Sequence, residues 1–380
     1  MKKALIVASV ASMIEQFNMD NIELLLKLEY EVTVATNFDE PGNITEEQSG
    51  NLKRSLFNLG VNCIQIDFSR AIHDIKSMIK SFRQLKRLSK ENFQIVHCHS
   101  PIGGVITRLV FKKSNSTIIY TAHGFHFYEG APTKNWLIFY PIEKFLSRYT
   151  DILLTINKDD YNMARKFSAK KVFLIPGVGI NTAKFHKIYS EKQISEIKKR
   201  LDIGSNIPVF ISVGEINRNK NHLSAIEALA KIDWDFYYLI IGKGRDEEFL
   251  KKRIDDLNLD NKIKLIGYSN EVEKYMGIAD VSLFLSLREG LGLAGLEAMA
   301  SGIPLISSNI GGIKDYMINF KTGFTIDDPT NINLIVEAIN EWNSLSIKEK
   351  REMSSFCKLV AEEYDIKKVS GIMEKIYSSI

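Results

Sequence analysis

The chain has 380 residues, 45% apolar and 25% charged, with a net charge of +4. That length admits two domains with full cores, and no apolar run reaches the roughly 18–20 residues that span a bilayer. Cys63, Cys98 and Cys357 are widely spaced and odd in number, which argues against a disulfide framework or a zinc site and for a reducing compartment.

Residues 1–12 imitate a short secretory signal. Glu15 interrupts that pattern, a helical periodicity covers 17–28, and 31–36 alternates as a strand. The start therefore reads as the first core strand, 4–10, of a β-α-β unit. Further strands are expected at 63–66, 95–99, 116–121, 152–156 and 172–175, most of them separated by helical patterns.

A basic amphipathic helix covers 75–90, where Lys76, Lys80, Arg83, Lys86, Arg87 and Lys90 interleave with Ile75, Ile79, Phe82, Leu85 and Leu88. It supplies much of a charge asymmetry, since residues 1–180 hold 23 Lys+Arg against 17 Asp+Glu. Two readings stand: a solvated helix back, or a surface resting on anionic lipid. No recognition motif accompanies the charge, so no nucleic-acid partner is expected.

The strand at 172–175 runs into Pro176-Gly-Val-Gly179, the exit from a first doubly wound domain placed at 1–182. A charged helical stretch over 187–203 leads into a second domain, 183–365, with strands expected at 208–214, 236–242, 263–267, 281–287 and 304–308. A last helix, 366–380, follows a break in the pattern. The fold class is α/β: two doubly wound, Rossmann-like domains facing a cleft, with ligands expected at the strand C-terminal ends.

The densest motif is Ser286-Leu-Arg-Glu-Gly-Leu-Gly-Leu-Ala-Gly-Leu-Glu-Ala-Met-Ala-Ser-Gly-Ile-Pro304. Glu289 is expected at the tip of the strand and Glu297 in the opening turns of the following helix. The glycine-rich loop between them, at a helix N-terminus, makes an anion site. Two hydroxyl acceptors around one phosphate cradle suit a nucleotide-sugar. On the same sheet edge, Ser212-Val-Gly-Glu-Ile-Asn-Arg-Asn-Lys-Asn-His222 places Arg218 and Lys220 in a strand-to-helix loop, where a diphosphate needs cations. The other reading of that stretch is a basic surface turn.

In the first domain, Thr121-Ala-His-Gly-Phe-His-Phe-Tyr-Glu-Gly130 leaves a strand with His123 facing the cleft, or with a histidine that is only structural. His97 and His99 share a strand face and invite a metal, but no third ligand is evident and zinc wants three or four. Asp233-Trp-Asp235 imitates the Asp-x-Asp of metal-dependent transferases, yet it precedes its strand, on the wrong edge. Gly242-Lys-Gly-Arg245 is a weak phosphate signal that reads as a tight loop, with Lys243 a spare cation.

The pattern from Glu289 to Pro304 resembles the signature of retaining glycosyltransferase family 4. The stretches Val213-Gly-Glu-Ile-Asn-Arg-Asn-Lys220 and Pro176-Gly-Val-Gly-Ile-Asn-Thr-Ala-Lys-Phe185 resemble that family's phosphate loop and domain linker. Tyr120-Thr-Ala-His-Gly-Phe-His-Phe-Tyr-Glu-Gly-Ala-Pro132, with Asn135-Trp136 and Tyr140-Pro-Ile-Glu-Lys144, is similar to a branch that builds capsule and exopolysaccharide units. The resemblance implies a GT-B fold whose last helix crosses back onto the first domain. It implies that Glu289 contacts donor-sugar hydroxyls, that Glu297 holds the ribose and that His123 lies against the sugar. Arg218 and Lys220 would hold the diphosphate, Gly290, Leu291, Gly292, Leu293 and Ala294 would offer it backbone, and Tyr268, after Gly267, would line the base pocket. Two positions depart from the family: Glu215 stands where many members carry Arg, and 9–13 lacks their paired glycines.

The expected activity is a retaining sugar transfer from a nucleoside-diphosphate sugar, a UDP-sugar foremost, to a polyprenyl-diphosphate-linked saccharide in capsular, exopolysaccharide or O-antigen synthesis. No metal or other cofactor is expected. The expected location is the cytoplasm, peripheral on the inner, anionic face of the membrane. A UDP-sugar epimerase of the same fold and a non-enzymatic sugar-binding protein are the alternatives. A dehydrogenase is set aside because 9–13 occupies the place of a Gly-x-Gly-x-x-Gly.

Overall fold

The computed structural model describes residues 2–69, 74–99, 101–187 and 189–380. Met1 of the apolar start, Ser100 after the histidine strand and Ile188 of the charged stretch lie outside the described residues, as do 70–73.

The chain divides into two compact units, 1–179 with 367–380, and 180–366. The first boundary falls three residues before the one expected after 182. Hydrogen bonds explain the shift: the Ile180 N–H donates to the Tyr364 carbonyl, the Ile366 N–H donates to the Ile180 carbonyl, and the Thr182 hydroxyl donates to the Asp365 carboxylate. Those bonds tie 180–182 to the second unit.

The first unit holds seven parallel strands: β1 (Lys2–Val7), β2 (Tyr30–Thr36), β3 (Asn62–Gln65), β4 (Ile95–His99), β5 (Thr117–Ala122), β6 (Ile152–Thr155) and β7 (Lys171–Leu174), in the order β3-β2-β1-β4-β5-β6-β7. The second holds six: β8 (Val209–Val213), β9 (Tyr237–Ile241), β10 (Ile263–Gly267), β11 (Val281–Phe284), β12 (Leu305–Ser308) and β13 (Gly323–Ile326), in the order β10-β9-β8-β11-β12-β13. Strands such as β4, β6, β11 and β12 are buried throughout, which explains why they read as continuous apolar runs rather than alternations. In each sheet the order reverses once, between β1 and β4 and between β8 and β11. Chains leaving such a pair diverge, and a crevice opens at their C-terminal ends.

Several ends differ from the sequence expectation. β1 stops at Val7 and a helix begins at Ala11, so most of 9–13 is helix rather than loop. β11 stops at Phe284; Leu285 is buried, but the Leu287 N–H donates to the Asn219 carbonyl of a neighbouring loop instead of a strand. β13 was not expected at all. The last helix is Ile366–Ser378, and from residue 367 it belongs to the first unit. There the Tyr377 hydroxyl meets His97 Nδ1 at 2.7 Å, both groups fully buried.

The helix Ile75–Leu88 is not a simple amphipath. Leu85 and Leu88 enter the core, whereas Ile75, Ile79 and Phe82 stay exposed among the cations. Helix Pro101–Phe111 packs beside it and helix Thr133–Leu146 packs against that one, on the same core cluster. An ion pair joins those two: Arg108 Nη1 lies 2.9 Å from Glu143 Oε2, side chains 1% and 9% exposed, with the guanidinium 3.9 Å over the Tyr120 ring. Removing one partner strands a buried charge. Glu143→Ala is therefore expected to cost about 3–5 kcal/mol, read as a lowered urea midpoint. A change under about 1 kcal/mol would show the pair to be solvated.

Candidate functional site

The site in the second unit is built where β8 and β11 diverge. The loop after β8 carries Lys220 and the loop after β11 carries Glu289. Lys220 lies over Gly214, where an added Cβ would come within 3.1 Å of the lysine Cε. Its Nζ then meets Glu289 Oε1 at 2.5 Å, and the Ser286 hydroxyl donates to that same oxygen at 2.8 Å. The Phe284 ring lies 5.5 Å from the ammonium.

Asparagines stitch the two loops together. The Asn219 side-chain amide donates to the Arg288 carbonyl, and that of Asn221 donates to the Leu285 carbonyl. The cation and carboxylate are thus held by backbone geometry, not by two flexible surface side chains finding each other. Glu289 is not at the strand tip; it stands five residues beyond Phe284, on this stitched loop.

Beside the pair begins the helix Leu293–Ala300. Gly292 precedes it in the left-handed region, φ +83°, where a Cβ would lie 2.8 Å from Phe284 Cζ. The Tyr316 hydroxyl donates to the Gly292 carbonyl at 3.2 Å. No side chain caps this helix and no acidic residue stands in its first turn, so the N–H groups opening with Leu293 and Ala294 keep their partial positive charge. Gly311 and Gly312 form the floor: a Cβ on either would come 2.2 Å from the carbonyl oxygen of Glu289 or Gly290. Only glycine lets the two backbones meet.

Glu297 sits in the second turn of the same helix, half-buried. Burial raises its pKa to about 7; nearby Glu273 adds to the rise and Lys184 opposes it. Lys184 itself pairs with Glu273 at 3.2 Å.

The remaining expected residues are placed differently. Arg218 is exposed and lines a separate concavity with Asn217, Asp246, Phe249, Leu287 and Thr330, whose walls include neither Lys220 nor Glu289. Tyr268 follows β10 and is 63% exposed. Leu291 is buried, so it serves this loop as an apolar anchor. Glu215 points to solvent. Asp235, at the N-terminal end of β9, pairs with Lys262. Gly242 and Gly244 do form a tight loop, against the backbone of Gly214 and Ile216.

In the first unit, His123 follows β5 and its Nε2 lies 3.1 Å from His99 Nδ1. His97 lies tilted against His99, ring centroids 4.1 Å apart, and both its nitrogens are engaged, Nδ1 by Tyr377 and Nε2 by Thr121. That engagement removes His97 from any metal, and no group of three or more His, Cys, Asp or Glu among the described residues is placed to hold one. Burial depresses all three pKa values: His97 to about 3, His123 to about 4 and His99 well below its usual value. They act as neutral imidazoles. Since Nε2 of His123 faces His99, Nδ1 is the nitrogen left to other partners. A cavity of about 20 Å³, the room of one water, lies beside them, bounded by Phe17, Asp20 and Thr121. His99 Nε2 is buried with no hydrogen-bond partner among the described residues.

Sequence reading missed Ser286, Asn219, Tyr316 and the Gly311-Gly312 floor. A signal existed for the last: two adjacent glycines shortly after a strand. For Asn219 there was none, since its partner is a backbone carbonyl on another loop; Ser286 bonds the Glu289 carboxylate three residues on.

The same fold occurs in sucrose-phosphate synthase from Thermosynechococcus elongatus (TM-score 0.79, 16% identity, 100% of this chain and 99% of that one). It occurs also in HepE of Anabaena, solved with UDP and glucose (TM-score 0.76, 14% identity, 100% of both chains). Two doubly wound parallel units of this kind make up the GT-B fold. Residues 193–356 match the family described as glycosyl transferases group 1, and 7–157 match the glycosyl transferase 4-like family. EpsD of Bacillus subtilis, named as a glycosyltransferase, is 32% identical over 334 residues, 86% of this chain and 83% of its own. An Escherichia coli protein named UDP-Gal:alpha-D-GlcNAc-diphosphoundecaprenol alpha-1,3-galactosyltransferase is 28% identical, over 86% of this chain and 85% of its own. The chain belongs to glycosyltransferase family 4.

The raised pKa of Glu297 has a thermodynamic sign. Between the ordinary value of 4.5 and about 7, the folded chain holds a proton that the unfolded chain releases. Stability from this group is therefore present below pH 4.5 and lost as pH rises through 7. Glu297→Gln is expected to raise the urea midpoint more at pH 8 than at pH 5. An equal shift at both values would show that Glu297 titrates normally.

Proposed function

We propose that this glycosyltransferase moves a sugar, with retention at the anomeric carbon, from a UDP-sugar to a polyprenyl-diphosphate-linked saccharide in capsule, exopolysaccharide or O-antigen synthesis. The work would take place in the cytoplasm, against the inner membrane surface. The observation that carries this reading is the Lys220–Glu289 pair, set beside an uncapped helix N-terminus where β8 and β11 diverge. Relatives support the choice of substrates: the Escherichia coli protein above is named for UDP-Gal and a diphosphoundecaprenol acceptor, and HepE was solved with UDP.

In this reading the diphosphate lies on the N–H groups of Leu293 and Ala294 and draws on Lys220, with Arg218 a more distant cation. Glu289 accepts from sugar hydroxyls, Glu297 from the ribose, and Tyr268 borders the base. The bond from the anomeric carbon to the phosphate oxygen breaks, and the acceptor oxygen bonds to that carbon on the same face. The acceptor proton passes to the departing phosphate oxygen. No enzymic nucleophile and no metal enter the scheme; the protein supplies positioning and charge. His123, neutral and oriented by His99, keeps Nδ1 as a hydrogen-bonding group at the end of β5.

The pairing adds a consequence. A diphosphate must share Lys220 with Glu289, so the two removals differ. Lys220→Ala is expected to weaken UDP binding and to cut turnover by about 100-fold or more. Glu289→Ala is expected to cut turnover similarly while UDP binds as well or better, because the ammonium is released. Calorimetric UDP titration and turnover with a panel of UDP-sugars and lipid-linked acceptors measure both. Wild-type turnover in either variant would refute the assignment, and NMR of the product's anomeric configuration tests retention.

A further inference from the structure

The helix Thr133–Leu146 has two incompatible faces. Trp136, Phe139 and Tyr140 pack on the core of the first unit, and Glu143 is fixed to Arg108, so the helix cannot roll. Opposite them, Leu137, Ile138, Pro141, Ile142 and Phe145 form one continuous stripe at helical spacing. Its large side chains are between 40% and 73% exposed. A solvated helix back has no use for such a stripe.

The charge around it is one-sided. Lys134, Lys144 and Arg148 are exposed along this segment, and none has a carboxylate partner among the described residues. The one carboxylate within the helix is Glu143, which is buried. The helix Ile75–Leu88, on the same core cluster, repeats the composition: exposed Ile75, Ile79 and Phe82 among Lys76, Arg83, Lys86 and Arg87, with no acidic residue between its ends. Lys80 alone is neutralised, by Asp67. Apolar side chains that enter an acyl boundary, ringed by cations that meet anionic headgroups, are what an interfacial helix needs. A protein partner of ordinary composition would be met by mixed charge instead.

We propose that the outer face of the helix Thr133–Leu146, assisted by the helix Ile75–Leu88, is the surface by which the first unit docks on an anionic lipid bilayer. It deepens the proposed function, resting on it only in that a lipid-linked acceptor resides at such a surface. Leu137 and Ile142 enter the acyl boundary, and Lys134, Lys144 and Arg148 hold the headgroups.

The test is co-sedimentation of the full chain with phosphatidylglycerol-containing vesicles and with pure phosphatidylcholine vesicles. The wild type is expected to partition at least about tenfold better onto the anionic vesicles, and less well as salt rises. Leu137→Ser with Ile142→Ser is expected to lose about tenfold on the anionic vesicles. Lys144→Glu with Arg148→Glu is expected to abolish the preference for them. Phe57→Ser, at an equally exposed apolar residue on the helix Glu46–Asn58 outside this cluster, should leave partition unchanged. All variants should keep the wild-type unfolding midpoint and UDP affinity, which separates a failure of docking from a failure of the donor site. Partition that ignores the Leu137/Ile142 change, or equal binding to both vesicle types, overturns the proposal. So does a solution dimer abolished by the same double substitution, which would give the stripe to a second copy of the chain.

Discussion

Everything in the second unit's site follows from one topological constraint. β8 and β11 are neighbours, yet the chain leaves them toward opposite edges of the sheet. Their C-terminal loops therefore have no strand to pair with. They pair with each other, through Asn219, Asn221 and the Leu287 N–H, and so carry Lys220 and Glu289 to contact. The charges are mutually satisfied and only partly exposed, which makes the pair a switchable contact rather than a surface salt bridge of little weight. Under the proposed function, a phosphate arriving at the helix N-terminus would compete for Lys220 with the carboxylate that accepts from the sugar.

The alternation of strands and helices made the two-unit α/β architecture legible, because buried parallel strands write continuous apolar runs. It could not mark where pairing stops. Leu285 and Leu287 are as apolar as Leu283, and only the loss of a neighbouring strand distinguishes them. β13 was missed because Gly323 opens it at φ +137°, against the Leu305 backbone, and a glycine there reads as a turn. The Glu289 and Glu297 segment was readable because its glycines and acids recur at fixed spacing within one stretch. Contacts across long separations were not: Tyr377 and His97 are 280 positions apart.

The histidines show how composition misleads in the other direction. Three imidazoles within a few ångströms suggest a metal, yet His97 spends both nitrogens on hydroxyls, and burial keeps all three uncharged. They form a scaffold that fixes which nitrogen of His123 is presented. The excess positive charge of the first 180 residues finds its place in the same way. It surrounds exposed apolar side chains on two helices of one core cluster, the pattern on which the proposed lipid docking rests.

The bond between His97 and Tyr377 sets an order of events at the ribosome. Residues 2–179 emerge before Tyr377, so His97 at first lacks its phenol. The whole of 180–366 must be synthesised before the final helix appears. Until then the nascent first unit carries an uncovered seam beside Leu24 and Ile175, where Val369 and Met373 will lie. A chain that stops short of Tyr377 would lack that phenol and leave the seam unsealed.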